Sequence, residues 1–186
     1  IARYDAVFVG GSGDFYVSKR NMPNFEAYMT TLRDLVAASK PTFLVCYGFQ
    51  ALVEGLGGKI IHSPEQTEVG TYSLKLQSSA ARDPLFGEFP SDFNAQQGHK
   101  DQAAYLPEGI QNYASSDRCV HQAFRIPDRP IWAVQFHPEL NKQSNSDRFR
   151  HYVSGYAGTM SEQERDETFN RFEDSPEAPS LTHRFV

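Results

Sequence analysis

The chain has 186 residues, 39% hydrophobic and 13% aromatic, which is enough apolar material for one full core and too little length for two. Its net charge of -5, with lysines and arginines scattered rather than striped, leaves no electrostatic footprint for nucleic acid, and no stretch approaches the ~20 apolar residues of a membrane span. The two cysteines, Cys46 and Cys119, fit neither a C-x-x-C nor a zinc-type spacing, which argues against a disulfide framework; with no basic-then-apolar leader, the expected compartment is the cytosol.

In chain order, Tyr4 to Val9 alternates into an apolar strand and runs at once into Gly10, Gly11, Ser12 and Gly13. A glycine loop after a strand can cradle a phosphate or present an amide N–H to a developing oxyanion. This one lacks both the Lys-Ser/Thr ending of a P-loop and the full G-x-G-x-x-G spacing, and the oxyanion role is preferred over a plain tight turn. Asn24 to Ser39 places Phe25, Tyr28, Met29, Leu32, Leu35 and Val36 at helical spacing, with Asn24 as the expected cap. Phe43 to Val45 then reads as a buried strand, and Gln50 to Leu56 as a helix ended by Gly57 and Gly58. Cys46 therefore falls on a strand-to-helix turn, the geometry of a nucleophile elbow, where a helix N-terminus favours a thiolate. Taken alone, it is either an activated nucleophile or an ordinary buried thiol.

Lys59 to His62 and Thr71 to Leu76 read as short antiparallel edge strands, and Asp83 to Phe89 and Pro107 to Ile110 as turns. The polar run Gln96 to Asp101 between them reads as a solvated loop. Tyr113 to Ser115, Cys119 to Arg125 and Ile131 to Gln135 are expected strands, the last ending in Phe136, His137, Pro138 and Glu139. A histidine just past a strand end, with a carboxylate two residues on, is the arrangement a base and its orienting group need. Asn145 to Gly158 and Ser161 to Phe172 have helical patterns, the second with Ser161 and Glu164 in capping-box relation. The tail from Glu173 to Val186 is either a docked arm or a frayed end. Strands alternating with helices in the first half argue an α/β class with a parallel sheet and right-handed crossovers.

Several separate stretches together resemble the class I, triad-type glutamine amidotransferases, especially the amidotransferase domain of GMP synthase and its stand-alone relatives. The family's elbow G-x-C-x-G-x-Q is met by Cys46, Gly48 and Gln50, and its F-H-P-E in full by Phe136 to Glu139. Gly10 and Gly11 meet the family's Gly-Gly loop, Glu68 and Gly70 its E-x-G stretch, and His99 and Asp101 resemble its H-x-D element. Leu44 stands where the family's first elbow glycine usually sits, and Phe49 replaces a frequent histidine or methionine. Family members also begin with a strand and helix ahead of the Gly-Gly strand, so a portion of roughly 30 residues is expected to be missing at the N-terminus.

The resemblance implies a flavodoxin-like doubly wound, mostly parallel sheet with helices on both faces and a small antiparallel edge element. Residues 1–158 would form the amidotransferase domain, and 159–186 a charged helix and tail of that same domain. It implies a Cys46-His137-Glu139 triad, an oxyanion hole from the N–H groups of Gly11 and Tyr47, and substrate contacts from Gln50, His99 and Asp101, with no metal or organic cofactor. The implied reaction is hydrolysis of glutamine to glutamate and ammonia through a glutamyl thioester, with a synthetase partner as the ammonia acceptor. A γ-glutamyl peptidase using the same triad, a DJ-1-like enzyme and a non-catalytic docking module are the rivals. The DJ-1-like organisation needs neither F-H-P-E nor Gln50, which counts against it.

Overall fold

The computed structural model describes residues 3–156 and 160–186. Strand β2 (Thr42–Val45) is buried along its whole length. Side chains alternate across a strand, so Phe43 and Val45 enter one apolar cluster and Leu44 the other. Strand β9 (Ile131–Val134) divides in the same way, Ile131 and Ala133 to one face and Trp132 and Val134 to the opposite one. Strands apolar on both faces belong in the middle of a covered sheet. The two pair in parallel, Thr42 beside Ile131 through Val45 beside Val134.

Strand β1 (Val7–Val9) adds in parallel on the far side of β2. Past β9 the sheet continues antiparallel through β8 (Ala123–Arg125), β7 (Asn112–Ser115), β4 (Glu68–Leu76) and β5 (Asp92–His99), giving seven strands in the order β1-β2-β9-β8-β7-β4-β5. A separate antiparallel ribbon joins β3 (Lys59–His62) to β6 (Asp101–Tyr105). Helices α1 (Phe25–Ala37) and α2 (Tyr47–Gly55) cover one face against Leu44, Phe124 and Ile131. The other face is covered by the turns around Leu85 and Phe86 and by helix α5 (Ser180–Phe185), whose Leu181 is fully buried. Helices α3 (Lys142–Tyr156) and α4 (Glu162–Asn170) flank β4, with Phe149 of α3 edge-on to Phe169 at 5.0 Å. The α/β class and the helices on both faces are as the sequence predicts. No helix among the described residues is long and apolar enough to cross a membrane.

Three local expectations change. Thr71 to Leu76 is not an edge strand: β4 is longer and is held by β5 on one side and β7 on the other. The run Gln96 to Asp101 is not a solvated loop but the end of β5 and the start of β6, with Gln96, Gln97, His99 and Asp101 all buried. Asn24 precedes α1 in a left-handed conformation (φ 58°), and its side chain makes no capping bond. Ser161 and Glu164 do form both bonds of a capping box. The tail is a docked arm: Thr71 N–H donates to Arg171 O at 3.1 Å, and the Gln96 amide donates to Glu173 O at 3.0 Å and to Ser175 Oγ at 2.9 Å. The end predicted for α3 at Gly158 lies outside the described residues.

Candidate active site

Cys46 closes β2 and opens α2, and its backbone N–H donates to Val134 O at 2.8 Å, which ties the turn to β9. Its φ of 50° and ψ of -102° are strained for a residue with a side chain. Strain of this kind persists where surrounding packing fixes it, and here Gly48 supplies the room. A Cβ on Gly48 would stand 3.0 Å from Val9 Cγ1 and 3.1 Å from Val9 O, so the first turn of α2 rides directly on β1. The Gly10-Gly11 loop follows β1. A Cβ on Gly11 would stand 2.9 Å from His137 Cε1 and 3.1 Å from Cys46 Cβ, so this backbone is pressed against the cysteine and histidine together.

His137 lies three residues past β9, its N–H donating to Gln96 O at 2.8 Å. Its Nδ1 is 2.7 Å from Glu139 Oε1, and it is buried while Glu139 is about a third exposed (36%). With Nδ1 engaged by the carboxylate, proton exchange with Cys46 falls to Nε2, the nitrogen that Arg148 also reaches. Burial alone would push the Cys46 thiol up, but the charge and hydrogen bond of His137, and the charges of Arg148 and His99, outweigh it and hold the thiol below its ordinary value. The reciprocal holds for His137: burial disfavours its cation, Cys46 and Glu139 favour it, Arg148 opposes it, and the net shift is upward. Glu139 is pushed up by burial, but the hydrogen bond and charge of His137, a backbone hydrogen bond and the charge of Arg148 together outweigh it and hold the carboxyl below the usual range.

The remaining predicted residues surround the same cleft, which is lined by Cys46, Gln50, His99 and Asp101. Most of their polar side-chain atoms are already engaged. The Gln50 amide donates to Asp101 O at 2.9 Å and to Gln135 Oε1 at 3.2 Å. The Asp101 carboxylate accepts from Ser18 N and Ser18 Oγ, both at 2.9 Å, and meets His62 Nδ1 at 2.8 Å. His99 is clamped between Asp101 O at 3.0 Å and Glu68 Oε2 at 2.9 Å. Glu68, His99 and Cys119 bring three ligand-type atoms within 4.8 Å of one another. Glu68 also accepts from Ser116 and Gln122, and burial, with the Glu68 charge added, pushes the Cys119 thiol up to about 12. The cluster is thus a satisfied hydrogen-bond network with its thiol protonated, a poor donor set for a metal.

Two side chains escaped the sequence reading. Gln135, directly before the Phe136 motif, points its amide at Cys46 Sγ from 3.7 Å. Arg148, from α3, donates from Nη1 to His137 Nε2 at 2.9 Å. Gln135 stood next to a recognised motif; Arg148 sits in a polar helix face with no local signal.

Comparison with known proteins gives the family and the fold. Residues 2–151 match the family described as glutamine amidotransferase class-I. The glutamine-hydrolyzing GMP synthase of Thermosipho africanus is 36% identical over 118 residues, 63% of this chain and 22% of that protein. One subunit of the glutamine-hydrolyzing GMP synthase of Methanocaldococcus jannaschii is 31% identical over 118 residues, 63% of this chain and 61% of that protein. The chain thus spans less than two thirds of the length of these relatives. A glutamine amidotransferase from Thermotoga maritima superposes with a TM-score of 0.73 at 21% identity, over 100% of this chain and 79% of that one, which shows a shared fold.

Proposed function

This chain belongs to the class-I glutamine amidotransferase family, and on that premise we propose that it hydrolyses the side-chain amide of glutamine with Cys46 as nucleophile. The observation that carries the reading is the convergence of the strained Cys46 elbow, the His137–Glu139 pair at 2.7 Å and the Gly11 backbone on one point. Cys46 Sγ, as thiolate, adds to the amide carbon; the resulting oxyanion accepts from the N–H groups of Gly11 and Tyr47. As the first residue of α2, Tyr47 has an N–H without an intrahelical partner, which suits that task. His137 protonates the departing ammonia, the C–N bond breaks, and a glutamyl thioester remains. His137 then takes a proton from water, which attacks the thioester carbon; Cys46 leaves and glutamate is released. Glu139 fixes the imidazole tautomer and favours its cation. Gln50, with the backbone around His99 and Asp101, holds the amino-acid end of the substrate. Residues 1–158 and the charged helix and tail of 159–186 act as one domain, working in the cytosol, where two unpaired thiols are stable. The ammonia acceptor is a synthetase partner, by analogy with the Methanocaldococcus relative, itself one subunit of GMP synthase.

A second reading draws on the groove beyond Lys100. Lys100 lines both the catalytic cleft and a cavity of ≈ 450 Å³ bounded by His62, Arg118, Glu164 and Arg171, room for the peptide part of a γ-glutamyl compound. The deciding experiment is ammonia release from glutamine by the protein and by Cys46→Ala, with a γ-glutamyl dipeptide in parallel. Glutamine turnover abolished by Cys46→Ala is the expected result. Turnover of the dipeptide alone would transfer the triad to peptidase work, and silence on both substrates, with a partner added, would leave a docking module.

A further inference from the structure

Arg148 is placed where the proposed chemistry needs room. Its Nη1 lies 2.9 Å from His137 Nε2, and its Nη2 lies 3.5 Å from Gly98 O. A Cβ on Gly98 would stand 2.9 Å from Nη1, so the guanidinium rests on bare backbone. One turn further along α3, Tyr152 closes on Gly13, where a Cβ would stand 2.5 Å from the ring. With both side chains in place, the cleft over Cys46 has a free volume of only ≈ 40 Å³. At roughly 10–15 Å³ for each water centre, that part of the cleft admits a few waters, and Arg148 and Tyr152 also line a neighbouring pocket of ≈ 200 Å³ bounded by Gly11, His137 and Glu139.

The hydrogen bond has a chemical consequence. A ring nitrogen carries either a proton or the lone pair that accepts one. While Arg148 donates to Nε2, that nitrogen cannot hold the proton it must take from Cys46 and pass to ammonia. Arg148 must therefore leave Nε2 for turnover to begin, and it needs somewhere to go. Among the described residues no carboxylate lies within 4.0 Å of its guanidinium. An arginine fork at the mouth of a small cleft, paired only with a neutral acceptor and a carbonyl, is suited to an incoming carboxylate, which it binds through two parallel N–H donors.

We infer that Arg148 is a substrate-reading arm: the α-carboxylate of glutamine, or of a γ-glutamyl group, draws it off His137 Nε2, opening the cleft and releasing the base in one movement. The inference rests on the glutamine reading above and adds a specificity residue to it. A substrate lacking the α-carboxylate would leave Arg148 on His137, so recognition and activation are the same event.

The test compares two electrophiles that end on Cys46: a glutamine-shaped chloroketone carrying the α-carboxylate, and iodoacetamide, which carries none. Labelling of Cys46 is followed by peptide mass mapping in the unaltered protein, in Arg148→Ala and in Arg148→Lys. The unaltered protein should favour the chloroketone strongly. Arg148→Ala should slow chloroketone labelling by roughly ten- to a hundredfold, the value of a charged hydrogen-bond partner, while iodoacetamide labelling holds or quickens. Arg148→Lys, which keeps the charge, should recover part of the preference. A preference unchanged in Arg148→Ala would overturn the inference alone and place the carboxylate elsewhere. No preference in the unaltered protein would remove the glutamine reading, and the inference with it. Equal loss of both labels in Arg148→Ala, unrelieved in Arg148→Lys, would make Arg148 structural.

Discussion

At the scale of single residues, the site is set by how three titrating groups shift one another. Cys46 falls below its ordinary 9.0 and His137 rises above its ordinary 6.5 because each ion favours the other inside a buried cleft. With Arg148 off Nε2, both shifts favour the thiolate–imidazolium pair, which is lost at low pH as the thiol takes up a proton and at high pH as the imidazole gives one up. Activity should follow that bell. Glu139→Gln removes the carboxylate that supports the imidazolium, so the alkaline limb should move to lower pH and kcat should fall by roughly 10²-fold or more. A pH profile of glutamine hydrolysis for both proteins checks this; an alkaline limb that stays in place would mean that Glu139 does not reach His137 electrostatically. Gly11 and Tyr47 belong to this scale too, since each oxyanion donor is worth roughly 3 kcal/mol in comparable sites.

The elements matter through the angle at which they meet. The Cys46 elbow depends on α2 starting directly above β1, and Gly48 is the point of closest approach, with Val9 Cγ1 3.0 Å and Leu44 Cβ 3.3 Å from the place a Cβ would occupy. Gly48→Ala forces the first turn of α2 away from Val9 by a few tenths of an ångström, an overpacking that costs about 1–3 kcal/mol. It also tilts Cys46 relative to His137, whose position is fixed separately by β9 and β5. Denaturant unfolding should show the stability loss, and ammonia release should fall by more than the folded fraction explains. Activity lost only in proportion to unfolding would show that the elbow tolerates the shift. Leu44 and Phe49, the departures from the family's elbow pattern, both point into the core on the α1–α2 face, away from the cleft lining.

The whole molecule is closed by its last residues. Phe185 packs against Phe43 at 5.5 Å and against Trp132 at 6.0 Å, and Leu181 is buried among the same cluster. These are the residues of β2 and β9 that face away from α2, so the arm covers the second face of the two strands that carry Cys46 and His137. Leu181→Ala should cost about 2–5 kcal/mol, the range for a buried leucine reduced to alanine. Because neither Leu181 nor Phe185 lines the cleft, KM for glutamine should stay unchanged at temperatures where the variant is folded. Thermal unfolding and steady-state kinetics together test this, and a raised KM without unfolding would show that the arm reaches the cleft.

The sequence by itself determined the features whose cause is local. A buried strand, a turn with Cys46 and Gly48, and an amphipathic helix are read from neighbouring residues, because side-chain periodicity and backbone sterics act over a few positions. The same holds for Phe136 to Glu139, where the base and its orienting carboxylate are two residues apart. The tertiary structure alone decided the fate of the polar residues. Gln96 to Asp101 looks solvated from its composition, yet it is buried because the Gln96 amide is satisfied by Glu173 and Ser175, 77 and 79 residues away. Arg148 meets His137 only because α3 folds back over β4 and β5. A buried polar group is acceptable when its partner is present, and the partner is a property of the fold, not of the neighbouring sequence.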